Sequence, residues 1–294
     1  MKLFSKHFKK NWFRHLLQWG VLIAIIIALV NIFSKTPSDP EAYCPFGGLQ
    51  AFGSYLTSET LACSMTTVQI LMGLALGVGV ILFGKLFCGY LCPVGLVSEY
   101  MFKLRKRIKV KGREITNGTV VDKVLRSIKY ILLFIVFYMT LSTSELFCKN
   151  FDPYYAVASG FQGEITLWMS VAALVILFLG SFFFKLFWCK YICPLGALSN
   201  LFKFTIAFSS LAILYVIFIQ LGLNIPWVYL LITACLMGYI LEIIMVKPKV
   251  FPLIKVNRDE EKCTDCGLCT KKCPYSLPVD KNKVVKEVDC TLCG

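Results

Sequence analysis

Long apolar runs alternate with short polar segments along most of the chain. Six runs approach or reach the roughly 20 residues that a helix needs to cross a hydrocarbon layer about 30 Å thick. They are residues 16–33, 68–87, 127–146, 165–188, 204–223 and 227–246. The pattern predicts an all-α polytopic membrane protein of about six transmembrane helices over residues 1–246. The first run is expected to stay as an anchor. It is long, and no small-residue cleavage site follows in Asn31-Ile32-Phe33-Ser34-Lys35. Beyond residue 246 the chain turns polar, and Pro248 and Pro252 mark a linker.

The basic residues sort by segment. Lys2, Lys6, Lys9, Lys10 and Arg14 precede or begin at the first run. Lys103, Arg105, Lys106, Arg107, Lys109, Lys111 and Arg113 follow the second. The stretches 34–64 and 147–164 hold only Lys35 and Lys149. The positive-inside rule then puts both termini in the cytoplasm, with a multi-pass chain in the plasma (inner) membrane. Asn224-Ile225-Pro226 becomes a short external hairpin. The net charge of +14 would suit a nucleic acid, but its placement beside apolar runs points to lipid headgroups instead. No nucleic-acid partner is expected. A composition 57% hydrophobic and only 16% charged excludes an ordinary soluble domain.

Fourteen cysteines change the picture. Cys263-x2-Cys266-x2-Cys269-x3-Cys273-Pro274 has the spacing that wraps a chain around a [4Fe-4S] cluster. Zinc sites favour separated Cys-x2-Cys pairs over such a run. A second run of the same kind starts at Cys290-x2-Cys293, one residue before the sequence stops. Residues 257–294 are therefore expected to form a small α+β ferredoxin-like domain, read as truncated, holding one or two clusters. A single cluster completed by Cys273 is the alternative.

The chain also repeats itself. Lys85-Leu86-Phe87-Cys88-Gly89-Tyr90-Leu91-Cys92-Pro93-Val94-Gly95 is echoed from Lys185 to Gly196, with Trp188 inserted. The copies, about 34–113 and 141–203, share one topology, so a pseudo-two-fold axis along the membrane normal is expected. Cys88-x3-Cys92-Pro93 and Cys189-x3-Cys193-Pro194 should end their helices at the cysteine before proline. Four thiols brought together at the axis could complete one further cluster; inert packing, or division of Cys88 and Cys92 between two sites, are the alternatives. Cys44, Cys63 and Cys148 are expected to face outside, as a disulfide, a redox pair or a metal site. Cys235, alone in the last run, is read as packing.

Absences narrow the chemistry. His7 and His15 are the only histidines, which excludes a bis-histidine haem within the bundle. There is no Cys-x-x-Cys-His, Rossmann fingerprint or P-loop. Glu99, Glu145, Asp152, Glu164 and Glu242 lie near the run ends and are candidates to accept a proton, though interfacial carboxylates are ordinary.

Two Cys-x3-Cys-Pro motifs at membrane-helix ends, followed by the ferredoxin-type segment, resemble the membrane [4Fe-4S] polyferredoxin family of the NapH, NosR and CcoG kind. The resemblance covers roughly Cys88 to the end. It implies clusters at Cys263, Cys266, Cys269, Cys273, Cys290 and Cys293, and a redox role for Cys88, Cys92, Cys189 and Cys193. It implies an electron-transfer, quinol-dehydrogenase-like subunit that passes electrons between quinol or a cytoplasmic donor and a partner redox protein. A metal-reducing or assembly factor, or a redox sensor, are the alternatives. The last two runs are additions to the family's minimal pattern.

Overall fold

The structure is a computed structural model. It describes residues 12, 14–24, 26–27, 45–58, 67–110, 115, 117–143, 147–158, 166–223, 225–244, 256–259, 261, 263–285 and 287–291. Cys44, Cys63, Cys293, Glu145 and Glu164, and most of the expected first span beyond residue 27, lie outside them.

Residues 14–24 are helical. The first copy then comprises α1 (Pro45–Ser58), α2 (Thr67–Phe83), α3 (Leu86–Tyr90) and α4 (Pro93–Arg107). Helix α5 (Val120–Thr143) leads into the second, which comprises a 3-10 turn at Phe147–Asn150, α6 (Pro153–Ala158), α7 (Leu167–Phe183), a π turn at Trp188–Ile192 and α8 (Pro194–Lys203). Helices α9 (Thr205–Gln220) and α10 (Trp227–Ile243) complete the helical part.

Local chemistry starts and stops these helices. Thr119 and Asp122 bracket the start of α5. The Thr119 hydroxyl accepts the Asp122 N–H at 3.3 Å, and the Asp122 carboxylate accepts the Gly118 N–H at 3.0 Å, close to a capping box. Proline opens α4 and α8 at the position where its missing N–H costs nothing.

Packing between the copies is reciprocal. Helix α2 of the first packs on α8 of the second, and α7 of the second packs on α4 of the first. Helix α5 joins the pieces, touching α1, α8 and α10. A core around Tyr130, Leu133, Val136, Ala197 and Leu201 sits where they meet.

The distribution of polarity is inverted relative to a water-soluble bundle. Lys85, Ser98, Asp122, Lys129, Thr140 and Asn200 are fully enclosed, while Trp168, Leu179, Ile213 and Leu236 lie on the outside. Helix α9 is apolar apart from Thr205, Ser209, Ser210 and Gln220 and has no buried residue. Such a surface is stable where hydrocarbon surrounds it. Among the described residues, α5 alone is long and apolar enough to cross a membrane as one straight helix. The expected spans 68–87, 165–188 and 227–246 are shorter apolar helices of 17 residues each. The expected span 204–223 is α9, turned by 88° from α8 at Phe204. The six-span reading is thus met in part.

The polar tail is small. Strands β1 (Val256–Asn257) and β2 (Val284–Val285) pair antiparallel, with Val256 opposite Val285, and helix α11 (Leu268–Lys272) lies between them in sequence. It packs on the helical part through Leu186, Tyr275, Leu277 and Val285.

Candidate metal centre

Each membrane motif is a helix end followed at once by a helix start. Cys92 and Cys193 are extended (φ −70, ψ 117 and φ −60, ψ 114), as a residue before proline must be. Each closes a wide turn: Cys92 N–H bonds Phe87 O at 3.0 Å, and Cys193 N–H bonds Trp188 O at 2.9 Å. The inserted Trp188 is absorbed by the π turn.

Both thiols then sit over helix N-termini. Cys92 Sγ accepts the backbone N–H groups of Gly95 and Val94, and Cys193 Sγ those of Gly196 and Leu195. These are positions that favour an anionic ligand. The Pro-x-Gly that follows each cysteine has a steric cause. A Cβ on Gly95 would stand 2.9 Å from Cys88 O, and one on Gly196 would stand 3.0 Å from Cys189 O.

The two copies face each other through these thiols. Cys92 has Cys88 and Cys193 as electrostatic neighbours, and Cys189 has Cys92, Cys193 and Cys88. Burial and the nearby Cys88 push the Cys193 thiol up to about 12. Serines come near across the copies: Ser199 neighbours Cys88, and Ser98 neighbours Cys189.

The tail closes over this group. Cys273 and Cys290 pack with Cys189 around Leu186 and Tyr275. Buried Tyr275 has Cys189, Cys88 and Cys193 as neighbours. Thr291 lies against Gly89, where a Cβ would meet its carbonyl at 3.0 Å. Lys203 donates to Val288 O at 2.5 Å and Cys290 O at 3.2 Å. Asn117 donates to the carbonyls of Tyr275 and Ser276.

A buried ionic network fixes the same junction. Asp289, next to Cys290, accepts from Lys85 Nζ at 2.7 Å and Arg126 Nη1 at 2.8 Å. Arg126 also pairs with Glu242 and Asp122. Glu242 accepts from Lys129 Nζ at 2.7 Å, Tyr130 Oη at 2.6 Å and Asn200 Nδ2 at 2.8 Å. Asp122 accepts from Lys190 Nζ and Tyr191 Oη, both at 2.6 Å. Burial alone would raise the Asp289 carboxyl, but Lys85, Arg126 and Lys129 outweigh it and hold it well below the usual range.

The tail loop is shaped for the same chemistry. Asp265 (φ 49) and Gly267 (φ 65) take left-handed conformations. The Leu268 N–H and Thr264 hold the Cys266 thiol below its ordinary value. Cys266 and Cys269 are exposed, and Cys263, Cys273 and Cys290 partly buried.

Cys148, expected to face outside, is buried with Phe46, Ala197 and Leu198. Its segment folds back: Phe151 stacks on Trp188 at 5.4 Å, and Asp152 is an electrostatic neighbour of Cys193. Cys235 is buried in the same core, as read from the sequence.

Comparison with known proteins fits these sites. Residues 65–111 and 166–218 match a family described as a 4Fe-4S binding domain, and residues 255–278 match a second 4Fe-4S binding domain. The matched segments contain both Cys-x3-Cys-Pro motifs and the tail run. Over these segments the chain is similar to 4Fe-4S binding domains. It is 29% identical to YccM of Escherichia coli (strain K12), named for electron transport, over 89% of this chain and 61% of that protein. It is 32% identical to the regulatory protein NosR of Pseudomonas aeruginosa, over 40% of this chain and 16% of NosR. It is 24% identical to the methylamine utilization ferredoxin-type protein MauN of Methylobacillus flagellatus, over 65% of this chain and 66% of MauN. The chain thus spans less than two thirds of YccM's length. No solved structure matches.

The residues fit a [4Fe-4S] group better than a single ion. One tetrahedral zinc draws its thiolates to about 3.8 Å from one another, since each Zn–S bond is about 2.3 Å. Among the described residues, no three His, Cys, Asp or Glu side chains are close enough to hold one metal ion. Four neighbouring thiols, two of them at helix N-termini, give a soft donor set of the kind iron–sulfur groups use. The serines, Tyr275 and the ionic network escaped the sequence reading, although Ser98 and Ser199 each stand six residues after the second cysteine of their motif.

Proposed function

We propose that this protein is a multi-pass membrane electron carrier with two linked redox centres. One [4Fe-4S] cluster is held by Cys88, Cys92, Cys189 and Cys193. The other belongs to the tail, held by Cys263, Cys266 and Cys269 with Cys273, or with a cysteine of the Cys290 run in its place. A [4Fe-4S] cluster supplies reversible one-electron storage. The chain's residues supply its thiolate ligands, exclude water through Tyr275 and lock the tail in place through Asp289. The observation that carries this reading is the shared packing of Cys189 with Cys273 and Cys290. All three pack against the apolar cluster of Leu186, Tyr275, Leu277 and Val285, which supports a short path between the proposed centres.

The electron donor in this reading is a quinol or a cytoplasmic reductant, and the acceptor a partner redox protein. A cavity of about 210 Å³ supports the quinol side. It is lined by His15, Trp19, Leu96, Glu99, Tyr100 and Lys103. Trp19 and Tyr100 meet edge to face at 6.1 Å. Burial and Lys103 lower the His15 imidazole, keeping it neutral and able to accept a proton. Glu99 is held by Arg14 at 2.6 Å and Lys103 at 2.8 Å. Arg14 also donates to the carbonyl of Gly89, inside the first cysteine motif. Proton acceptor and redox centre are thereby tied to one short segment.

The test is anaerobic purification of the full chain, EPR of the reduced and oxidised forms, and addition of a soluble quinol analogue. Clusters reduced by the analogue in wild type, and reduced far more slowly in H15A, support the quinol route. Clusters inert to quinol but oxidised by added copper would favour a metal-reducing factor instead.

A further inference from the structure

Charge does not balance where the tail meets the helical part. Among the described residues this junction encloses five cations, Lys85, Arg126, Lys129, Lys190 and Lys203, and three carboxylates, Asp122, Glu242 and Asp289. All eight are buried. Four of the cations share the three carboxylates. Arg126 pairs with Asp122, Glu242 and Asp289, Lys85 with Asp289, Lys129 with Glu242 and Lys190 with Asp122. The neighbouring phenols bring no negative charge, because Tyr130 Oη donates to Glu242 and Tyr191 Oη donates to Asp122.

Lys203 stands outside this pairing. Its ammonium donates to two carbonyls, Val288 O at 2.5 Å and Cys290 O at 3.2 Å, and among the described residues it pairs with no carboxylate. It is the last residue of α8, whose C-terminal dipole offsets only about half a charge. The junction thus holds five positive charges against three negative ones, and buried charge without a counter-charge is strongly unfavourable.

The acidic groups next to Lys203 are thiols. Cys290, whose carbonyl it holds, packs with Cys189 against Leu186 and Tyr275. Thr291, the following residue, lies against Gly89, the neighbour of Cys88 in the chain. The grip of Lys203 on 288–290 therefore falls beside the first cysteine of both membrane motifs. A [4Fe-4S] group with four thiolates carries a net charge of about −2 when oxidised and about −3 after gaining one electron. The excess of two matches the oxidised form and favours the reduced one.

We propose that Lys203 is the counter-charge of the membrane-site cluster and raises its reduction potential. This rests on the cluster assignment above. Reduction adds one negative charge to the cluster, and the ammonium attracts it without making or breaking a bond. At an effective dielectric constant of about 20, a unit charge within about 10 Å changes such an equilibrium about tenfold.

The experiment uses the full chain, purified anaerobically, as wild type, K203R, K203Q and E242Q. K203R keeps the charge. K203Q keeps an amide donor for the two carbonyls and loses the charge. E242Q enlarges the positive excess by one, and Glu242 bonds Arg126, Lys129, Tyr130 and Asn200, all in the helical part. Iron and acid-labile sulfide are counted first, and hydrogen exchange of 287–291 reads docking of the tail. Midpoint potentials of both EPR signals then follow by titration, with C88S/C189S identifying the membrane-site signal. With iron unchanged, K203Q lowers that potential, so that the reduced-to-oxidised ratio at the wild-type midpoint falls about tenfold. K203R stays near wild type, and E242Q moves the potential upward. Loosened packing alone would move K203Q and E242Q the same way. Full iron with an unmoved potential in K203Q, shifts of one sign in K203Q and E242Q, or a larger shift in the tail signal than in the membrane-site signal would overturn the proposal. If K203Q takes up no iron, E242Q decides, and a potential at or below wild type overturns it. A wild-type chain lacking a membrane-site cluster would instead overturn the functional reading beneath it.

Discussion

Replacing Asp289 with asparagine keeps the shape of the tail junction and removes one charge. Lys85 and Arg126 then lose a partner at 2.7 and 2.8 Å while remaining buried. Breaking a buried pair by removing one member costs about 3–5 kcal/mol, because the other charge is left uncompensated. Arg126 keeps Glu242 and Asp122, so the lower end, about 3 kcal/mol, is appropriate. That corresponds to about a hundredfold shift toward the undocked tail. Hydrogen–deuterium exchange reads it directly. Amides of 287–291 in D289N should exchange about a hundredfold faster, while those of 130–140 in α5 hold their wild-type rate. Acid should mimic the mutation only weakly. The carboxyl is held below its usual value, so its contribution is complete above about pH 4 and fades only as pH falls through the lower docked-state value. The Asp289 contribution should therefore be constant from pH 8 to pH 5. Wild-type exchange rates in D289N would refute the reasoning.

Other outcomes follow from the same geometry. G95A and G196A place a methyl 2.9 and 3.0 Å from a cysteine carbonyl, so each should lower membrane-site iron and destabilise by about 1–3 kcal/mol; iron analysis and thermal melts check both. Y275A removes a buried ring from the cluster against which Cys189 packs and should speed air bleaching of the membrane-site cluster, followed optically, while Y275F should not. K203M strips donors from Val288 O and Cys290 O and should loosen 287–291 in the same exchange assay. C235A should leave iron content and potentials unchanged, since Cys235 only packs.

The repeat and its helix ends were legible because proline and cysteine dictate local backbone regardless of context. Cys92 and Cys193 are extended and the next helix starts at once, as the motif demands. The expected start of the third span at Ser127 was late. Helix α5 begins at Val120 because Asp122, Arg126 and Lys129 turn inward to meet Lys190, Glu242 and Asp289. Hydropathy treats such charges as solvent-facing, and only the tertiary partners reveal otherwise. The burial of Cys148 was not legible for a related reason: it depends on tertiary packing with Phe46, Ala197 and Leu198, and no local pattern encodes that. Ser98 and Ser199 stood at equivalent positions of the repeat, but their exchange between copies depends on how the helices cross.

Two linked centres are the core of this account, and iron counting with EPR tests them most directly. Anaerobically purified wild type should exceed C88S/C189S by about four irons and four sulfides per chain, with one EPR signal lost and the tail signal kept. Equal iron content and identical spectra in the two proteins would contradict it.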